Sequence, residues 1–162
     1  MDLSAYNLPA SVVNEVRFFP YEDILIEIFK RGLPDVPFYT YIAEDMPFPA
    51  VHGQRFLRQR PWSGDPRFID NGPIRINVFT TGLNAEIEGG YISEAIRNVF
   101  LQAHLERWHF PGTGSVLSIK MESEPAISSD WASASGIVQF ADLPPGVVRT
   151  ETAYNMTIRR PN

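Results

Sequence analysis

"IRINVFTT", residues 74–81, decides the fold. Ile74, Ile76 and Val78 alternate with Arg75, Asn77 and Phe79, which is the two-residue period of a strand with two unlike faces. β-branched and aromatic side chains fit such a half-buried pleated surface. The period changes immediately afterwards. In "LNAEIEGGYISEAIRNVFLQAHLERW", residues 83–108, Ile92, Ile96, Val99 and Ala103 recur at helical spacing, and Ala95 and Phe100 widen the stripe. The pattern predicts a helix over roughly 85–107. Gly89 and Gly90 each cost about 1 kcal/mol in a helix interior, so its start is expected near Tyr91.

Upstream of the decisive strand, "PYEDILIEIFKRG" predicts a helix over 20–31. Pro20 suits a first turn, while Glu22 and Asp23 complement the positive helix end and Lys30 and Arg31 the negative one. Gly32 and Pro34 stop it, and Ile24, Leu25 and Ile28 form the inward stripe. "VPFYTYIAED" (36–45) reads as a strand ending at Glu44 and Asp45, "MPFPAVHG" (46–53) as a proline-interrupted link, and "RFLRQR" (55–60) as a second strand. "WSGDPRFIDNGP" (62–73) carries turn chemistry at Gly64, Asp65, Pro66 and Asn71-Gly72. Beyond the long helix, "SVLSIKME" (115–122) alternates through Leu117, Ile119 and Met121. The polar link "SEPAISSDWASASG" (123–136) and the turn "LPPG" lead to "VVRTETAYNMTIRR" (147–160), where Tyr154, Met156 and Ile158 share a face. The expected architecture is α+β: a mainly antiparallel sheet of about five strands, two amphipathic helices on one face, order αβββαββ. Residues 1–19 form an N-terminal arm, and 20–162 a single domain.

Composition narrows the function classes. A hydrophobic fraction of 44% and a charged fraction of 20% are those of a folded chain. The lack of cysteine excludes disulfides and thiolate metal sites. No stretch has the length of a membrane span or the apolar core of a secretory signal, so the expectation is no membrane partner. The net charge of −5 disfavours non-specific phosphate binding. Lysine occurs only at 30 and 120, so arginine carries nearly all the positive charge, and its planar, weakly hydrated fork suits protein interfaces.

Motifs for chemistry fail one by one. No serine sits in a nucleophile elbow, and "GTGS" lacks the spacing and lysine of a phosphate loop. His104 and His109, five apart, diverge by about 140° on a helix. Glu106 with His109 supplies two ligands where a catalytic zinc takes three from the protein. His52 stands apart from both in sequence. The carboxylate pairs Glu44-Asp45, Glu86/Glu88 and Glu122/Glu124 flank element ends and read as solvated rims. The expectation is a non-enzyme with no cofactor.

What stands out is the cluster Arg55, Arg58, Arg60, Arg67 and Arg75 around Trp62. Tryptophan and arginine are enriched among interface hot spots, and arginine stems also cover apolar sheet surface. Trp62 is either a lid on the core or an interface anchor. A nucleic-acid module would use the same residues, with bases stacked on Trp62.

"RFLRQRPWSGD", "FIDNGPIRINVFTTG" and "SEAIRNVFLQAHL" together resemble the tail terminator proteins of long-tailed phages. Phe56, Arg58, Arg60, Gly64, Asp70, Pro73 and Ile74 to Phe79 carry the likeness, and residues 147–159 resemble the family's closing strand. The resemblance implies a virion protein, assembled in the host cytoplasm, that caps the head-proximal end of the tail tube. It implies a six-fold ring, contacts with the major tail tube protein and with the head-tail connector, and DNA passing through the lumen without specific binding. A ring needs two complementary patches per subunit. Arg55, Arg58, Arg60, Trp62, Arg67 and Arg75 are candidates for one, and Glu44, Asp45 and Glu122 for the other. The nucleic-acid module, a small enzyme or ligand-binding domain, and another neck or tail component are the competing readings.

Overall fold

A computed structural model describes residues 21–40, 46–55, 69–128 and 146–159. The elements run α1 (Tyr21–Gly32), β1 (Phe38–Tyr39), β2 (Ala50–Arg55), β3 (Ile69–Thr81), α2 (Ala85–Leu105), β4 (His109–Phe110), β5 (Gly114–Met121), β6 (Ala126–Ser128) and β7 (Val147–Arg159). The class is α+β, as the periodicities require. The sheet is richer than the five antiparallel strands expected: the described residues give seven strands, in a mixed sheet ordered β1-β2-β3-β7-β5-β4 with β6 also on β7. Among the described strands only β1 and β2 pair in parallel, Phe38 against Val51 and Tyr39 against His52.

The sheet is built on β3 and β7, antiparallel from Ile69 opposite Arg159 to Thr81 opposite Val147. On the other side of β7 lie β5, against its C-terminal half, and β6, against its N-terminal part. Since β3 and β5 are both antiparallel to β7, they are parallel to each other. Parallel strands need a long crossover, and α2 supplies it. The helix leaves the end of β3, runs back over the sheet and delivers the chain to the start of β5. The long helix expected between the third and fourth strands is thus a crossover, and β7, expected to follow β5, lies between β3 and β5.

Both helices lie on the face that carries Ile74, Ile76 and Val78. Ile24, Leu25, Ile28 and Phe29 of α1 and Ile96, Val99, Phe100 and Ala103 of α2 are buried there with Tyr154, Met156 and Ile158 of β7. Phe100 is the hub. Its ring meets Phe29 edge-on at 5.9 Å and Tyr154 edge-on at 4.8 Å, and Phe29 stacks on Phe38 at 4.1 Å. Such edge-on pairs add to the gain from burial alone. Burial pushes the Tyr154 hydroxyl up to about 12.

α2 starts at Ala85 and runs straight through Gly89 and Gly90, so the expected start near Tyr91 is too late. Packing explains it. A Cβ on Gly89 would sit 2.7 Å from Thr150 Oγ1, so the absence of a side chain lets the helix settle onto β7. That contact outweighs the propensity cost of glycine.

Three further expectations are corrected. "AVHG" belongs to β2 rather than to a link, because Val51 faces the helices while Ala50 and His52 are buried on the other side. "DNGP" is strand rather than turn: Asn71, Gly72 and Pro73 pair with Thr157, Met156 and Asn155. Among the described residues the pairing of β2 with β3 runs from Ala50 opposite Phe79 to Arg55 opposite Ile74. In β5 a bulge between Val116 and Ser118 shifts the alternation, so Val116 rather than Leu117 joins Ile119 in the core.

Candidate functional site: the polar face of the sheet

Alternation that sends Ile74, Ile76 and Val78 toward the helices sends Arg75, Asn77 and Phe79 to the opposite face. β7 obeys the same rule, with Tyr154 on the helix side and Arg149 and Glu151 on the other. The register then brings these groups together, since Asn77 lies opposite Glu151, and Phe79 opposite Arg149. His52 of β2 lies opposite Asn77. Ala50 and Phe79 pack with Met46 alongside, in a second small apolar cluster partly covered by Tyr39, Phe48 and Val147.

Arg149 is 0% exposed. Its Nε donates to Asn77 Oδ1 at 3.0 Å, and its Nη2 is paired with Glu151 Oε2. The second oxygen of Glu151 lies 2.8 Å from Arg75 Nε. One carboxylate thus bridges two buried guanidiniums. Burial depresses the Arg75 pKa, Glu151 counteracts that, and the nearby Arg149 charge adds to the depression. Removing one member of such a set leaves a buried charge uncompensated.

The same amide sets the state of His52. With Oδ1 accepting from Arg149, the Asn77 Nδ2 group is left to face His52 Nδ1, 3.3 Å away. An amide N–H can only donate, so Nδ1 must present its lone pair. Burial holds the imidazole pKa down at about 4, partly opposed by a hydrogen bond to the Thr40 backbone and reinforced by the positive charge of Arg149. The ring is therefore neutral at pH 7. Farther along the same face, Asn71 Nδ2 donates to Asn155 Oδ1 at 3.0 Å, and Asn155 Nδ2 donates to Glu122 Oε1 at 3.4 Å.

Chemically this face is a clamp. It joins β2, β3 and β7 through His52, Asn77, Arg149, Glu151 and Arg75, and its carboxylate is occupied by two arginines. Away from it, a cleft of about 190 Å³ beside α1 is lined by Phe29, Lys30, Leu33, Val36 and Phe38 among others. Lys30 is its one charged group, so it has no converging polar set. Among the described residues no group of three or more His, Asp or Glu side chains is placed to hold a metal ion. His104 Nδ1 accepts from the Ile119 N–H at 3.3 Å, and His109 Nδ1 is 2.8 Å from Ser115 Oγ. No helix among the described residues is long and apolar enough to cross a membrane.

Of the arginines singled out in the sequence, Arg75 is a buried member of the clamp, on the face opposite its neighbouring isoleucines as alternation requires. Arg55 ends β2, in register with Ile74. Glu122 is exposed just beyond β5. Glu44, Asp45, Arg58, Arg60, Trp62, Arg67 and the 1–19 arm lie outside the described residues. The described tryptophan is Trp108, buried where α2 ends, with Nε1 donating to Glu106 Oε2 at 2.8 Å and the Arg31 guanidinium over its ring at 4.1 Å. Bonds from Gln102 and Trp108 hold the Glu106 carboxyl below its usual range. Sequence reasoning passed over Arg149 and Glu151 and did not join His52 or Asn77 to Arg75. The signal was available for two of them: in "VVRTETAYNM" the charged Arg149 and Glu151 fall two apart, on the face opposite Tyr154.

No family model and no curated protein matches the chain. One solved structure, of a protein known only by a serial identifier, is 13% identical over 83% of this chain and 94% of its own, with a TM-score of 0.35.

Proposed function

We propose that the protein is a structural subunit of a phage virion that closes the head-proximal end of the tail tube as a ring, and that it carries out no catalysis. The observation that supports this reading is the continuity of β3 and α2. Asp70, Pro73 and Ile74 to Phe79, which carry the resemblance to tail terminators, lie in a single long strand that passes almost directly into the amphipathic helix. The clamp fits a mechanical role, since it ties three strands together with charge-assisted bonds at the centre of the sheet. Arg75 contributes to that stiffness. The ring contacts then fall to Arg55, Arg58, Arg60, Trp62 and Arg67 for one patch and to Glu44, Asp45 and Glu122 for its complement. Tail tube protein and head-side connector would be the axial partners, and the acidic chain suits a lumen that does not retain DNA.

Particle mass across a concentration series, followed by electron microscopy of any large species, tests the ring. A second assay adds the protein to preformed tail tubes and asks whether their growth stops. Capping that is lost in Arg58→Glu supports the reading. Failure of the unaltered protein to cap tubes refutes it.

A further inference from the structure

Lysine occurs in this chain only at 30 and 120, and arginine serves everywhere else. Lys30 lies on α1 and is paired with Glu27 at 3.2 Å. Lys120 is exposed on β5, on the face away from the helices, and makes no ion pair among the described residues. The two kinds of cation differ chemically. A guanidinium keeps its proton in any protein, whereas a lysine amine that has lost its proton is a nucleophile.

Directly opposite Lys120 in the antiparallel register stands Asn155 of β7. Paired positions bring their Cβ atoms to within about 4.5–5.5 Å on one face, well inside the reach of a lysine stem. The Asn155 amide is held at both ends. Its Oδ1 accepts from Asn71 Nδ2 at 3.0 Å, and its Nδ2 donates to Glu122 Oε1 at 3.4 Å. Asn71 is itself fixed, because its Nδ2 also donates to Thr157 Oγ1. The carbonyl therefore has a donor placed where negative charge would grow during attack. The amide nitrogen has beside it a carboxylate that can move protons.

We propose that Lys120 and Asn155 join in an isopeptide bond, with Glu122 as the proton carrier, so that β5 is covalently tied to β7. The unprotonated Lys120 Nζ attacks Asn155 Cγ, and the new C–N bond forms as the carbonyl electron pair moves onto Oδ1, beside the Asn71 N–H. Glu122 takes a proton from the attacking nitrogen and hands it to Nδ2. The carbonyl re-forms, the Cγ–Nδ2 bond breaks, and one ammonia leaves. An amine and a primary amide become a secondary amide and ammonia, so the step needs no oxidant or reductant. The chain is its own substrate and each molecule reacts once, without turnover of another compound. Holding nucleophile and carbonyl on paired strands replaces the encounter of two free reactants, and effective concentrations reach about 10⁵–10⁸ M in well-oriented cases.

The intact mass of the full chain tests the proposal. Only the unprotonated amine attacks, so the protein is incubated at alkaline as well as neutral pH. The expected product is lighter by one ammonia, and digestion yields a branched peptide that joins the segment around Lys120 to the segment around Asn155. Lys120→Arg, at an exposed position, keeps the fold and the charge and abolishes the loss. Glu122→Gln slows it by about 10²-fold or more. An unchanged mass at both pH values overturns the proposal. So does a loss of ammonia that persists in Lys120→Arg, because an asparagine followed by glycine, as at Asn71-Gly72, can close on its own backbone with the same change in mass. An equal rate in Glu122→Gln overturns the assignment of the proton carrier. The mass of a single chain is read whatever the chain assembles into, so this result stands apart from that of the ring.

Discussion

Acidification is expected to unfasten the clamp at His52 first. In the folded chain the imidazole is held at about 4 by burial and by Arg149, against 6.5 in the unfolded chain. Between those two values the unfolded chain binds a proton that the folded chain refuses. Stability linked to His52 is therefore complete above pH 6.5 and is lost as the pH falls toward 4. Each pH unit between the two pKa values contributes 1.36 kcal/mol, so the loss is roughly 3 kcal/mol. Urea unfolding of the protein and of a His52→Gln variant, compared from pH 7.5 to 4, isolates this contribution from that of the carboxylates. The unaltered protein should lose roughly 3 kcal/mol more than the variant across the window. Asn77→Asp offers a carboxylate to both Arg149 and His52, so it should raise the imidazole pKa and reduce or reverse the difference. Parallel curves for the unaltered protein and His52→Gln, or a His52 ring proton signal that titrates near 6.5, would refute the reasoning.

Two further perturbations address the helix side. Phe100→Ala removes the ring that joins Phe29 and Tyr154, and should destabilise the fold by about 3–5 kcal/mol in denaturant unfolding. Gly89→Ala should cost about 1–3 kcal/mol despite the better helix propensity of alanine, because its Cβ meets Thr150 Oγ1. Thr150→Ala removes that obstacle, so the same glycine substitution made in that background should become neutral or stabilising by about 1 kcal/mol. A Gly89→Ala effect of equal size in both backgrounds would remove Thr150 from the explanation.

Local patterns were legible in the sequence where one face is apolar and the other polar. The inward stripe of α1, the alternation of β3 and the Tyr154, Met156 and Ile158 face of β7 follow from spacing alone, because burial imposes those periods. What was not legible lies in long-range pairing. Nothing local tells Asn71-Gly72-Pro73 that it is to be strand; the partner Asn155 to Thr157 decides it from more than eighty residues away. The bulge in β5 likewise moves Val116 inward by one residue that the pattern "SVLSIKM" does not mark. Ala50 to Gly53 of β2 read as a link because the prolines ahead of them look like loop, whereas the strand is fixed by its neighbours β1 and β3. The clamp needed the register of three strands before its members met. Arg75 was picked out for its charge, but the partner that explains it, Glu151, lies on another strand.

The position of β7 has a consequence for how the chain is made. It is the last described strand to leave the ribosome, yet it occupies the middle of the sheet, with β3 on one side and β5 and β6 on the other. Until it arrives, β3 and β5 have exposed edges and α2 has a floor with its central plank missing. Helices and hairpins can form as they emerge, but the long-range closure that unites them must wait for β7. Nascent chains are thus open to wrong strand partners until β7 emerges, and a chain released before Val147 would retain two unsatisfied sheet edges rather than a smaller fold.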